Sequence, residues 1–154
     1  MTSQSKANTL CRMSRDVPYE VKRTNTGLGL FATQPIPKGK KIIEYTGPLI
    51  SNDEVEKSNR KYFFGVNKKW SIDGSPRTNI ARYINHSCLP NAEAIVTQRR
   101  RVWIWSLKRI KPGEEIAYDY GKEYFEGIIE PMGCKCEKCG TAKSKVRSPK
   151  SNVR

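Results

Sequence analysis

Cys134, Cys136 and Cys139 fall within one octapeptide, GCKCEKCG. Thiolates at C-x-C-x2-C spacing can converge on a zinc ion at about 2.3 Å each, but tetrahedral zinc takes four ligands. Three residues elsewhere are candidates for the fourth position: Cys11, Cys88 and His86. The chain holds 5 cysteines, an odd number with three clustered, which favours metal over disulfides. Bringing Cys88 to the cluster closes a loop of 46 residues. That closure costs about 3–4 kcal/mol, against about 10–16 kcal/mol of apparent zinc-binding energy. The consequence reaches beyond the metal. With Cys88 as a ligand, the segment ending in AYDYG is drawn towards NHSC, so that Asn85, His86 and several tyrosines share one neighbourhood.

The elements that must position these residues are short. YEVKRT predicts a strand, and NTGLGLFA a glycine turn with a second strand. IPKGKKIIEYTG reads as turn, strand, turn. Ser51 and Glu54 have capping-box spacing, which predicts a short helix over roughly residues 52 to 60. NIARYI predicts one or two helical turns. AEAIVT and RVWIWSL predict strands on either side of a basic tip, Gln98 to Arg101. The second has apolar residues on both faces, so it is expected to be largely covered. IKPGEEIAYDYG repeats the turn, strand, turn pattern, and its Ile110 to Gly113 echoes Ile36 to Gly39; ordinary hairpin grammar accounts for the echo. Short strands separated by turn residues predict a mostly β domain of several small sheets.

The segments ARYINHSCLPNAEA and GEEIAYDYG, followed by the C-x-C-x2-C stretch, resemble a SET domain with its post-SET zinc segment. GLGLFA and IIEYTG resemble that family's first two signatures, in the same order, and the match runs from about Tyr19 to Cys139. The resemblance implies a fold of several short sheets with few short helices and a C-terminal pseudoknot. It implies a SET domain over 17–130 and a zinc segment over 131–140, while composition predicts a flexible arm over 1–16 and a basic tail over 141–154. It implies a structural zinc ion held by Cys88, Cys134, Cys136 and Cys139, the last pair being spaced as in SET-MYND proteins. The activity implied is transfer of a methyl group from S-adenosylmethionine to a protein lysine.

Site roles follow from the resemblance position by position. Thr26, Gly27, Leu28 and Gly29 are implied to line the cofactor, and glycines there let backbone approach a ligand closely. Asn85, His86, Tyr62 and Tyr120 are implied to contact it as well. Tyr45, Phe64, Tyr118 and Tyr120 are implied to build the lysine channel, with Tyr120 catalytic. A tyrosine at 118 narrows that channel and implies mainly monomethylation. Leu89, Thr78 and Pro48 depart from the common pattern without removing any of these groups.

Charge bears on partners. Of 154 residues, 29 are Lys or Arg against 15 acids, a net charge of +14, which attracts polyanions. The excess gathers at Arg99–Arg101 and in the tail from Thr141, whose composition predicts disorder and nucleic-acid contact. The expected substrate is a histone-like tail or another basic protein, although charge attraction between two basic partners cannot explain its recognition. No apolar run approaches the ~18 residues of a membrane span. The first 16 residues show no apolar signal core, so the chain is expected inside a cell: nucleus or chromatin in a eukaryote, cytoplasm in a bacterium, or delivery as a secreted effector. The competing class is a non-enzymatic zinc module that binds nucleic acid or chromatin; a mere binder has no use for Tyr120, Asn85 and His86 together.

Overall fold

The computed structural model describes residues 17–140. The arm over 1–16, with the candidate ligand Cys11, and the basic tail over 141–154 lie outside the described residues.

Ten strands form two sheets. Strands β1 (Tyr19–Thr24) and β2 (Gly27–Ala32) make a hairpin in full register, from Tyr19 opposite Ala32 to Thr24 opposite Gly27. Strand β3 (Lys41–Tyr45) leads into β4 (Leu49–Ser51), which joins β5 (Phe63–Gly65) and β6 (Trp70–Asp73) in a separate three-stranded sheet of order β4-β6-β5. Helix α1 (Asn52–Glu56) follows β4 and starts with both halves of the expected capping box: Ser51 Oγ accepts from the Glu54 amide, and the Glu54 carboxylate accepts from the Ser51 amide. It stops short of residue 60, because Lys57 caps it after little more than one turn and none of its residues is buried to extend the packing.

A 3-10 turn, Ile80–Tyr83, precedes the two-residue strand β7 (Asn85–His86). Strands β8 (Ala92–Val96) and β9 (Val102–Ser106) pair antiparallel around the basic tip, as their sequences predict. Strand β10 (Glu115–Tyr118) completes the larger sheet, whose order is β1-β2-β10-β8-β9-β3 with β7 also on β10. The last strand thus lies between the first hairpin and the β8-β9 hairpin. Beyond it, α2 (Lys122–Tyr124) runs through a π-helical stretch, Phe125–Ile129, into α3 (Glu130–Met132).

Leu30, Ile36, Ile84, Val102, Ile104, Ile110 and Ile116 are completely or almost completely buried and centre the core on this sheet. Period-two alternation explains it: Val102, Ile104 and Ser106 of β9 point inwards, while Trp103 and Trp105 between them are half-buried on the other face. That outer face is covered less than its apolar character predicts, since the groups lying over its rings are Lys41 and Arg101. The echoing turns also meet. Ile36 and Ile110 exchange both backbone hydrogen bonds, each 2.9 Å, in an antiparallel bridge. Their likeness is that of two turns packed back to back, and the shared isoleucine is the residue each buries.

Candidate active site

Strand β10 pairs in parallel with β7, which sets Ala117 beside Asn85 and Tyr118 beside His86. The Ser87 amide donates to the Tyr118 carbonyl at 3.0 Å, and Asn91 holds the next turn by accepting from the Ala117 amide and donating to the Glu115 carbonyl. Two residues of extended chain at 85–86 therefore suffice to lock the NHS turn to the YDY segment.

His86 is the hub. Its Nδ1 accepts from the Tyr120 amide at 3.2 Å, which places the ring proton on Nε2, and Nε2 lies 3.3 Å from Cys88 Sγ. Burial lowers its pKa, partly offset by the Asp119 carboxylate 3.8 Å away. Its ring stands 5.5 Å from Tyr120 and 5.3 Å from Phe125. Asn85 donates from Nδ2 to the Leu28 carbonyl at 3.1 Å and to the Glu115 carboxylate at 2.7 Å. Gly29 is needed beside this pair: a Cβ there would come within 2.5 Å of the same Glu115 oxygen and 2.8 Å of Thr24 Cγ2.

Five aromatic rings run in sequence. Tyr45 and Phe64 are 5.4 Å apart, Phe64 and Tyr118 6.4 Å, Tyr118 and Tyr120 5.0 Å, and Tyr120 and Tyr124 5.2 Å. The Tyr45 hydroxyl donates to the Tyr62 carbonyl at 2.6 Å, and that of Tyr120 to the Ile84 carbonyl at 2.5 Å. Burial raises the pKa of Tyr45, Tyr118 and Tyr120 well above the ordinary phenol value. All three hydroxyls therefore stay protonated at neutral pH.

A cavity of about 1050 Å³ adjoins the row at Tyr120 and Tyr124 and is walled also by Thr26, Asn85, His86 and Met132. Its size and its mixture of amide, imidazole and apolar groups fit a nucleoside-sized cofactor such as S-adenosylmethionine. Thr26, Asn85, His86 and Tyr120 of the expected cofactor set line it; Leu28 faces Asn85 through its carbonyl, and Gly27 opens β2 beside Thr26. Tyr62 is placed differently. It adopts a left-handed backbone (φ 74°) and carries the Arg82 guanidinium 4.0 Å over its ring, so its carbonyl, which anchors Tyr45, is its link to the aromatic row.

The Sγ atoms of Cys88, Cys134, Cys136 and Cys139 all lie within 4.8 Å of one another. Cys88 is 3.8 Å from both Cys134 and Cys139, and a regular tetrahedron with 2.3 Å zinc–sulfur bonds has edges of about 3.8 Å. Burial raises the Cys136 thiol, but hydrogen bonds from the Cys88 and Cys139 backbone and from neighbouring thiols outweigh it and bring its pKa down to about 7. Cys88 is pushed far up by burial and by the other thiols. A cation among the four sulfurs would favour the thiolate form of each. The four residues could hold zinc, and His86 stands beside the set, occupied by Tyr120.

Sequence reasoning missed Tyr124, Phe125 and Glu115. The first two close the row and flank His86, and Glu115 fixes the Asn85 amide. Tyr124 stands only four residues beyond Tyr120, across the Gly121 turn, and that nearness in sequence was the available signal.

The family model described as the SET domain matches residues 27–121. Histone-lysine N-methyltransferase Set2 of Drosophila melanogaster is 39% identical over 133 residues, covering 78% of this chain and 6% of that protein. The H3 lysine-4 specific histone-lysine N-methyltransferase of Chaetomium globosum is 36% identical over 129 residues, 76% of this chain and 12% of that protein. Probable histone-lysine N-methyltransferase set-23 of Caenorhabditis elegans is 36% identical over 131 residues, 73% of this chain and 54% of that protein. The chain thus spans from 6% to 54% of the length of these relatives. Since the matched stretch supplies β2, the aromatic row through Tyr120 and the Asn85–His86 strand, this chain belongs to the SET domain family.

Proposed function

We propose that the chain transfers a methyl group from S-adenosylmethionine to a lysine side chain of a histone or other basic protein, and that it mainly monomethylates. The observation that carries this reading is the aromatic row meeting the large cavity at Tyr120: a file of rings abuts a roomy pocket of mixed polar and apolar lining at one phenol.

S-adenosylmethionine, when bound, supplies an electrophilic methyl group on a sulfonium. Thr26, the Leu28 region, Asn85 and His86 would hold it; the hydrogen bonds of Asn85 to Leu28 and Glu115, and of His86 to the Tyr120 amide, fix that part of the wall before any ligand arrives. The attacking amine must be neutral. Tyr45, Phe64 and Tyr118 exclude water around it, which disfavours the ammonium form and lowers the lysine pKa. The protonated Tyr120 hydroxyl, already fixed on the Ile84 carbonyl, orients the amine through its oxygen. The hydroxyl of Tyr118, buried in the row, occupies room that added methyl groups need. No carboxylate is required as base, because the proton can leave along the phenols or through water. Alignment alone can contribute about 7–11 kcal/mol.

Zinc on Cys88, Cys134, Cys136 and Cys139 would be structural, tying the segment beyond Tyr124 to the NHSC turn. A histone substrate would place the protein in the nucleus on chromatin. The exposed Arg99–Arg101 tip and the basic tail would then add nucleic-acid contact, which supplies the attraction that two basic proteins lack. The decisive experiment is incubation with radiolabelled methyl donor and a panel of histones, ribosomal proteins and free peptides. Label on lysine supports the reading; binding of the donor without transfer to any substrate, or no binding by calorimetry, refutes it.

A further inference from the structure

All 3 tryptophans of the chain stand under cations. On the outer face of β9, Lys41 Nζ lies 4.3 Å from the Trp103 ring centre and 5.3 Å from that of Trp105, and the Arg101 guanidinium lies 5.1 Å from Trp103. Exposed Ile95 sits opposite Trp103 on β8. Across the adjoining cleft, Arg100 reaches to 5.6 Å over Trp70 of the smaller sheet. That cleft, about 460 Å³, is lined by Arg99, Arg100 and Arg101 and shares no residue with the cofactor-sized cavity.

The tip is built to present these cations. Arg101 is held by both oxygens of Glu44, at 2.7 and 2.6 Å, leaving no further carboxylate on the cleft wall. Among the described residues no ion pair engages Arg99 or Arg100. Arg100 has φ 59°, a left-handed conformation in which glycine would be free of strain. At the other end of β9, exposed Lys38, Lys40 and Lys41 are tied down by the Lys40 amide on Ser106 Oγ at 2.8 Å. The result is a sheet face with two indoles in the middle, positive charge at both ends and one exposed carboxylate, Glu93, opposite Trp105.

We propose that this face binds single-stranded nucleic acid, with bases on Trp103 and Trp105 and phosphates on Lys41, Arg99 and Arg100. The two indoles are two residues apart on one strand, hence about 7 Å apart, twice the ~3.4 Å rise per nucleotide of a stacked strand. Bases resting on them are splayed, as in unpaired loops. A duplex hides its base faces within its own stack and leaves the indoles without partners. An acidic peptide would satisfy the arginines but not the rings. Lys41, standing over both rings in the free protein, moves to the phosphate between the two bases. This deepens the nucleic-acid contact assigned above to the arginine tip and does not depend on methyl transfer.

The test uses the whole chain with fluorescein-labelled 12-mers of uridine and of thymidine, a 12-base-pair DNA duplex, and polyglutamate, followed by anisotropy and tryptophan emission at several salt concentrations. At least one single strand binds about 10-fold or more tighter than the duplex and quenches tryptophan emission; the uridine and thymidine arms tell RNA from DNA. Trp103→Ala weakens binding about 5- to 100-fold. Should that variant lose its native circular dichroism, exposed Lys41→Gln and Arg99→Gln carry the test. Each weakens every single strand alike, lowers the salt slope by about 1, and leaves methylation of a free peptide without nucleic acid unchanged. The proposal is overturned by duplex or polyglutamate binding as tight as single strands, by binding without quenching, or by binding that ignores Lys41→Gln and Arg99→Gln and vanishes on deleting residues 141–154. Failure of methyl transfer would appear separately, in the peptide assay alone.

Discussion

The backbone amide of Tyr120 donates to Nδ1 of His86, and the opposite nitrogen of that ring lies 3.3 Å from Cys88 Sγ. One imidazole thus joins the candidate catalytic phenol to the cluster of four thiols. The position of the phenol depends on a turn whose own position depends on the thiols.

Tyr120→Phe removes the hydroxyl that meets the Ile84 carbonyl and keeps the ring in the row. Turnover is expected to fall about 100-fold or more, while calorimetric affinity for S-adenosylmethionine stays within about threefold of the parent, because Asn85 and His86 remain. Turnover near the parent value removes the role assigned to Tyr120.

Tyr118→Phe deletes a buried hydroxyl without opening the backbone. Mass spectra of a methylated peptide are expected to shift from mono- towards di- and trimethyl product. Abundant trimethylation by the unaltered chain contradicts the narrow-channel reading.

Gly29→Ala pushes a methyl group into the Glu115 carboxylate that holds Asn85. Cofactor affinity is expected to drop about 10-fold, a loss of about 1.4 kcal/mol. A KM for S-adenosylmethionine equal to that of the parent shows that the Asn85–Glu115 pair is irrelevant to binding.

Elemental analysis is expected to find one zinc per chain. Cys139→Ser or a strong chelator should remove it, lower the thermal midpoint and abolish transfer together, since zinc binding in such segments is also folding energy. Full activity in metal-free protein sinks the structural assignment.

Raised tyrosine pKa values make the fold sensitive to base. In the unfolded chain Tyr45, Tyr118 and Tyr120 would ionise near 10.0; in the folded chain burial raises all three. Their contribution to stability is therefore complete below pH 10 and is lost as pH rises beyond it, with up to three protons released on unfolding. Urea midpoints measured from pH 8 to 11 should fall steeply above 10. Phenolate absorbance should show these three tyrosines titrating on denaturation, with Tyr19, whose pKa burial also raises, adding to the change.

Much of the site was legible because its signals are local. The cysteine spacing announced a metal site, and the paired NHSC and YDYG segments announced its neighbours. The capping box at Ser51 and Glu54 fixed where α1 begins. Its end was not legible, because stopping at Glu56 reflects the absence of a buried face, which is a tertiary property. Phe125 was missed because its helix changes to π geometry at that residue, and a side chain's facing then departs from the ordinary period. Tyr62 was expected on the cofactor side; its left-handed backbone turns its carbonyl to Tyr45, and its ring lies under Arg82, a placement no local pattern announces. The cover on Trp103 and Trp105 was expected to be protein; the apolar pattern of β9 is the same whether a layer or a lysine lies over it.

The place of β10 between β2 and β8 bears on synthesis. The middle of the larger sheet is filled by the last of its described strands in chain order, so two hairpins must wait with open edges for residues 115–118 to arrive. Many of the chain's contacts join distant residues, a topology that folds slowly. A nascent chain halted before that point has neither Tyr118 nor Tyr120 and only one of the four clustered thiols. Synthesis interrupted there leaves the NHSC turn without the strand that locks it and the aromatic row half built.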